Sequence, residues 1–242
     1  MTIEFRNLNF AYDTEPILQQ VNLTVATGEL LALVGPSGSG KTTLLKMVNG
    51  LLTPTTGEVL INQQPLTSLD LLAHRRQTGY VLQQGALFPN LTVAENLAVL
   101  PKLNGWSPRQ IKTTTAQWLQ EVDLPTTILN RHPAELSGGQ QQRIGIVRAL
   151  MTQPPILLMD EPFSALDAIT RQQLQTLTKQ LQAKYAPTTI FVTHDMQEAL
   201  TLADRVAVMQ AGRIVQVATP AELQEHPVND FVTQLIQGGT HA

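Results

Sequence analysis

Apolar and polar residues alternate at Val21, Leu23 and Val25, the pattern of a strand with one buried face, and Leu30–Val34 then runs apolar without a break, which suits a strand buried on both faces. A glycine-rich loop follows at once. Beyond it Leu44, Leu45 and Val48 recur at helical spacing as far as Gly50, a residue suited to the left-handed end of a helix. This predicts strand, loop and helix in direct succession. From about residue 85 to residue 151 the pattern turns mainly helical: Ser107 and Pro108 read as a cap and first turn, and Ile111, Trp118, Leu119 and Val122 mark one face. Strand patterns return at 156–159 and 189–193, separated by a helix whose Leu174, Leu177, Leu181 and Tyr185 share a face. Asp195 with Glu198, and Thr219 with Pro220 and Glu222, are capping-type starts for two later helices, and Ala211-Gly212 can turn a hairpin between 205–209 and 214–217. Alternating strands and helices predict a parallel, helix-covered sheet, with 85–150 as a helical second lobe inserted into a discontinuous domain.

Composition narrows the class. The 242 residues are 43% hydrophobic and 14% charged, enough for one compact unit or two closely packed lobes. A net charge of -3 and a pI near 5.9 argue against a broad basic surface for nucleic acid. The absence of Cys excludes disulfides, thiolate zinc sites and cysteine nucleophiles. Residues 1–10 lack the basic end and apolar block of a signal peptide, and no apolar run approaches the roughly 18 to 20 residues of a membrane helix. If the chain serves a membrane, other chains are expected to span it.

Gly35-Pro36-Ser37-Gly38-Ser39-Gly40-Lys41-Thr42 fits the phosphate-binding loop GxxxxGK[ST] between a buried strand and a helix. Small residues let backbone N–H groups converge, and the helix N-terminus adds positive potential. Lys41 can then reach the β and γ phosphates, and the Thr42 hydroxyl can ligate Mg²⁺. A bare glycine-rich turn would not explain Lys-Thr at that place. Thr43, next along, is counted with the nucleotide-binding positions. Ile156-Leu157-Leu158-Met159-Asp160-Glu161 is a buried strand ending in two acids, and strand ends in parallel sheets are where ligands are met. Adjacent strand residues point opposite ways, so Asp160 is expected to hold Mg²⁺ through water and Glu161 to accept a proton from the water attacking the γ phosphate. Alone, such a strand end reads as a solvated turn. Leu136-Ser137-Gly138-Gly139-Gln140-Gln141-Gln142-Arg143 places Ser, Gly and Gly before a helix as a second anion cradle, which by itself is also a helix-capping turn.

Together these motifs resemble the ATP-binding-cassette (ABC) ATPases, and the resemblance runs from about residue 3 to residue 236. It implies an α/β fold, a P-loop NTPase core with a mostly parallel sheet, an N-terminal antiparallel β portion and an inserted helical subdomain. The chain is then one ABC ATPase domain, with a RecA-like core at 1–84 and 151–242 and the helical signature subdomain at 85–150. It implies that Ser137, Gly138, Gly139 and Gln140 close over the γ phosphate held by an opposite subunit and that Tyr12 stacks on adenine. Gln83 would sense Mg²⁺ and the attacking water, Ser164-Ala165-Leu166-Asp167 would cross the dimer interface, and His194 would contact the γ phosphate. Read alone, Tyr12 is a surface aromatic, Gln83 a strand-end polar residue and His194 a capping or core histidine. Two departures stand out: Ala168 where relatives often have proline, and Gln84 where an acid is common.

Within the family, Gln83-Gln84-Gly85-Ala86-Leu87-Phe88-Pro89, Ala165-Leu166-Asp167-Ala168-Ile169-Thr170-Arg171 and Asn229-Asp230-Phe231-Val232 look like importer ATPases for quaternary amines such as glycine betaine or choline, and the regulatory extension that some of them carry is not expected here. The resemblance implies ATP and Mg²⁺ as cofactors, and a second copy or a homologous ATPase as partner. It also implies transmembrane permease subunits, a solute-binding protein reached indirectly, no nucleic acid, and a peripheral position on the cytoplasmic face of the cell membrane. An exporter or lipid-transport motor, and a soluble ABC ATPase acting on DNA or ribosomes, stay open as alternatives.

Overall fold

The computed structural model describes residues 1–82 and 86–238. Strands β1 (Ile3–Tyr12), β2 (Glu15–Val25), β4 (Thr56–Ile61) and β5 (Gln64–Pro65) form an antiparallel sheet in the order β2-β1-β4-β5. The second sheet runs β10-β9-β3-β8-β7-β6, from β3 (Leu30–Val34), β6 (Thr78–Val81), β7 (Ile156–Asp160), β8 (Thr188–Thr193), β9 (Arg205–Gln210) and β10 (Arg213–Ala218). All its neighbouring pairs are parallel except the β9–β10 hairpin at one edge.

The unbroken apolar run at Leu30–Val34 becomes the central β3, and all five of its residues are buried. Successive side chains go to opposite faces. Leu30, Ala32 and Val34 join one apolar cluster with Leu157, Met159 and Phe191, while Leu31 and Leu33 join another with Leu158, Ile190 and Val192. The first cluster takes in α3 (Val93–Leu103), α4 (Pro108–Glu121), α5 (Gly138–Leu150), α6 (Ala168–Tyr185) and α7 (Met196–Leu202), through residues such as Leu97, Trp118, Ile146, Leu174 and Ala199. The second unites the antiparallel sheet with Leu44, Leu45, Met47 and Val48 of α1 (Lys41–Val48). The helical stretch and the sheet thus share one apolar cluster. Short helices α2 (Leu71–Arg76) and α8 (Pro220–Glu225) and the closing α9 (Asp230–Gly238) complete the fold.

Several expected helix starts form in full. Ser107 and Gln110 make a reciprocal capping box with Pro108 in the first turn of α4, and Thr219 and Glu222 do the same for α8. At α7 only half of the pattern is used: Asp195 accepts from the backbone N–H groups of Gln197 and Glu198, but the buried Glu198 carboxylate turns inward to the Thr193 hydroxyl. Two expectations need correction. Gly138 and Gly139 are not ahead of a helix; they form the first turn of α5, with Ser137 as its cap. Glu161 is not a strand residue: β7 ends at Asp160 and the chain turns at Glu161 with φ 45°, so the two acids diverge because of a left-handed turn rather than the pleat. The antiparallel β1 escapes a reading by alternation because its register slips between Phe5 and Leu8, where Asn7 has φ 44°.

Candidate active site

The loop from Gly35 to Gly40 joins the end of β3 to the first residue of α1, at the carboxyl edge of the parallel strands. Gly40 takes φ 98° and lies so close to Leu18 that a Cβ would come within 2.5 Å of its Cδ2, so a side chain there meets both strain and a clash. No side chain caps α1 and no acid stands in its first turn, which leaves its N–H groups and positive end available to an anion. Pro36, Ser37 and Gly38 are exposed, whereas Ser39 is buried. The Lys41 ammonium donates to the carbonyls of Gly35 at 2.7 Å and Pro36 at 2.9 Å, with Ser39 Oγ at 3.4 Å. Burial lowers its pKa, against the opposing pull of the Glu161 and Asp160 charges. That makes Lys41 a desolvated cation whose hydrogen-bond partners among the described residues are neutral dipoles, a strong attractor of phosphate.

The Thr42 hydroxyl donates to Asp160 Oδ1 at 3.0 Å, bringing α1 and β7 together. Burial raises the Asp160 pKa and the neighbouring Glu161 charge adds to the rise, while the Thr42 hydrogen bond, Lys46 and Lys41 counter it. Glu161, whose N–H donates to the Val192 carbonyl at 2.9 Å, sets Oε2 3.3 Å from His194 Nδ1 just beyond β8. Both side chains are partly exposed, as groups that meet a ligand must be. Thr43 lies in the first turn of α1, half-buried. Tyr12 ends β1 with its ring half exposed and edge-on to Phe10, 4.8 Å between centroids. Gln83 lies outside the described residues, as do Gln84 and Gly85.

Ser137, Gly139 and Gln140 are not brought to this loop within the chain. They line a separate cleft of about 790 Å³ between α5 and α6, with Arg143, Thr170 and Gln173. Ser137 and Gln140 bond reciprocally, Ser137 N–H to Gln140 Oε1 at 3.1 Å and Gln140 N–H to Ser137 Oγ at 3.3 Å. A Cβ on Gly139 would stand 2.6 Å from Thr170 Cγ2, so glycine lets α5 meet the start of α6. Asp167 caps α6 by accepting from Thr170 N–H, and Ala168 occupies the first helical position.

Sequence reasoning missed two groups. Asn96, fully buried in α3, accepts from Phe88 N–H and donates to the carbonyls of Phe88, Leu91 and Thr92, fixing the bend at 88–92. Arg148 of α5 donates to the Ala86 carbonyl at 3.0 Å and places its guanidinium 5.6 Å from the Phe88 ring centre. The available signal was one polar residue on an apolar helix face, Asn96 between Val93 and Leu97. Glu198 and Arg171 form the other group.

The family model described as ABC transporter matches residues 18–164. The chain is 47% identical, over 219 residues, to the glycine betaine/carnitine/choline transport ATP-binding protein of Bacillus subtilis, covering 90% of this chain and 58% of that protein. It is 45% identical to a sulfate/thiosulfate import ATP-binding protein of Nitrosomonas europaea over 98% of this chain and 66% of the relative. The chain therefore spans rather more than half the length of curated relatives it matches. Among solved structures, a dimeric ATP-binding cassette bound to ADP and Pi superposes with a TM-score of 0.81 at 34% identity, over 90% of this chain and 98% of that one.

Proposed function

The chain belongs to the ABC transporter family, and from that premise we propose that it is the ATP-binding and ATP-hydrolysing subunit of an importer, dimerising around two ATP molecules. The observation that carries the reading is the convergence, at one edge of the parallel sheet, of an uncapped helix N-terminus, a desolvated Lys41, the Thr42–Asp160 pair and Glu161 beside His194. In this reading the loop and Lys41 bind the phosphates, and Tyr12 offers a ring face to adenine. Glu161 takes the proton of the water whose oxygen bonds to the γ phosphorus as the bond to ADP breaks, and His194 orients the γ phosphate. Gln83 is assigned to the same water by family resemblance alone.

Thr42 Oγ1 and Asp160 Oδ1 are hard oxygen donors 3.0 Å apart, a pair suited to Mg²⁺. Among the described residues no three His, Asp or Glu side chains group to hold a metal by themselves. When bound, Mg²⁺ would neutralise phosphate charge.

No helix among the described residues is long and apolar enough to cross a membrane. By family resemblance, the reading assigns the crossing to permease subunits and this chain to the cytoplasmic face. The helices of 85–150 form its signature subdomain. The segment that Asn96 and Arg148 hold, with Phe88 half exposed, is the proposed docking point for a permease helix. The solute class is taken from the amine-transporting relative, with a sulfate-type importer as the second reading because such relatives align over nearly the whole chain. Glu161→Gln tests the central claim: ATP binding by calorimetry is expected to persist while turnover falls by about 100-fold or more. Normal turnover would remove Glu161 as the base. Growth under osmotic stress against sulfate limitation, in a strain lacking the gene, separates the two solute classes.

A further inference from the structure

Glu198 has 5% of its surface exposed, on a short helix whose other buried residues, Met196, Ala199 and Leu202, are apolar. A buried carboxylate contributes little to stability that a well-packed apolar side chain would not, so its value lies in the geometry it imposes. Its two oxygens face different parts of the site. Oε2 accepts from the Thr193 hydroxyl at 2.6 Å, and the same hydroxyl accepts from Asp195 N–H at 3.0 Å, so the backbone on both sides of His194 hangs on one contact. Oε1 accepts from Gln175 Nε2 at 3.4 Å and lies 4.0 Å from Arg171 Nε. Arg171 in turn donates Nη2 to the Leu166 carbonyl at 3.2 Å, next to Asp167. The Nε proton of Arg171 is buried and makes no hydrogen bond within the described residues, so the junction has a donor in reserve. Burial raises the Glu198 pKa and Asp195 adds to that, while the Thr193 bond and, after it, the Arg171 and His194 charges oppose it.

We infer that Glu198 and Arg171 are positioning residues that tie His194 to the 164–167 segment, so that the group facing one γ phosphate and the segment crossing to the other subunit are set together. The inference rests on the proposed reading of His194 and of 164–167. Arg171 Nε now stands 4.0 Å from Oε1, so a shift of about 1 Å in either segment would bring it within hydrogen-bond reach or carry it farther off, and misplacement on that scale is enough to cost catalysis heavily.

The experiment uses the whole chain and four proteins: parent, Glu198→Gln, Arg171→Lys and the double variant. Glu198→Gln keeps size and the acceptor for Thr193 but removes the countercharge; Arg171→Lys keeps the charge but loses the planar fork. Each single change is expected to lower kcat by about tenfold or more while affinity for a non-hydrolysable ATP analogue stays within about twofold, and the double variant is expected to be no slower than the worse single one. A merely structural pair would lower the melting temperature without that split. Folded variants with parental kcat, or single effects that multiply in the double variant, overturn the inference. If Glu198→Gln does not fold, Arg171→Lys decides alone, since that side chain is 36% exposed. A parent without ATP turnover, or an unimpaired Glu161→Gln, overturns the underlying reading; parental kcat in the pair variants beside a dead Glu161→Gln overturns only this inference.

Discussion

Lys41 and Asn96 show two ways in which a buried polar side chain is held. Lys41 has its charge met by two loop carbonyls and one hydroxyl, all weaker partners than a phosphate. Lys41→Ala is therefore expected to leave the fold intact and to raise the dissociation constant for ATP at least about tenfold, since one charge-assisted bond is worth about 1.5–3 kcal/mol; calorimetry on the folded variant measures it, and unchanged affinity would refute the role. Asn96 is saturated by four backbone groups, so Asn96→Leu leaves buried donors and acceptors without partners. The expected loss is about 2–3 kcal/mol in denaturant unfolding. Each residue was present in the sequence, but only Lys41 could be read there. Its motif fixes its neighbours within eight positions, whereas the meaning of Asn96 depends on where Phe88 folds back.

The contact between α5 and α6 turns on a single missing methyl group. With Thr170 Cγ2 only 2.6 Å from where a Cβ would stand, Gly139→Ala must push the start of α5 away from α6. We expect a loss of about 1–3 kcal/mol in stability from overpacking. The double variant Gly139→Ala/Thr170→Ser, which removes the crowding methyl, should recover most of it. Equal stability of the single variant and its parent would show that the helices have room. At this scale the pattern of apolar positions was a good guide where elements are regular: β3, β7, β8 and the β9–β10 hairpin lie where alternation and apolar runs put them. It failed at β1, where a bulge shifts the period, and at Glu161, where the strand stops one residue early. Local hydrogen bonds, not hydrophobicity, decide both, and a period-2 pattern carries no trace of them.

Within one chain the Gly35 to Thr42 loop and Ser137 with Gly139 belong to separate places, the first at the sheet edge and the second in the α5–α6 cleft. The anion cradle proposed at Ser137 and Gly139, apart from the phosphate loop of its own chain, gains a use if a second chain supplies the nucleotide. The solved relative with TM-score 0.81 is dimeric. Glu161→Gln chains are accordingly expected to dimerise on adding ATP, as seen by light scattering, because ATP favours the state that it bridges. Adding Ser137→Arg, which fills the cradle with bulk and charge, should abolish that dimer. If the double variant dimerises as well as Glu161→Gln alone, the two cradles do not share a nucleotide.

What the sequence determined by itself is the set of local devices: the glycine-rich loop between strand and helix, the two acids at the end of an apolar strand, and the capping boxes at Ser107 and Thr219. Each is written in a few adjacent residues whose backbone geometry allows little else. What only the tertiary structure decided is which distant groups meet. Thr42 reaches Asp160 across 118 positions, and Glu198 joins Thr193 to Arg171. Sheet order sets these meetings by placing β7 and β8 beside β3, and that order follows from burying both faces of the sheet at once, a demand made by the whole chain and by no segment of it.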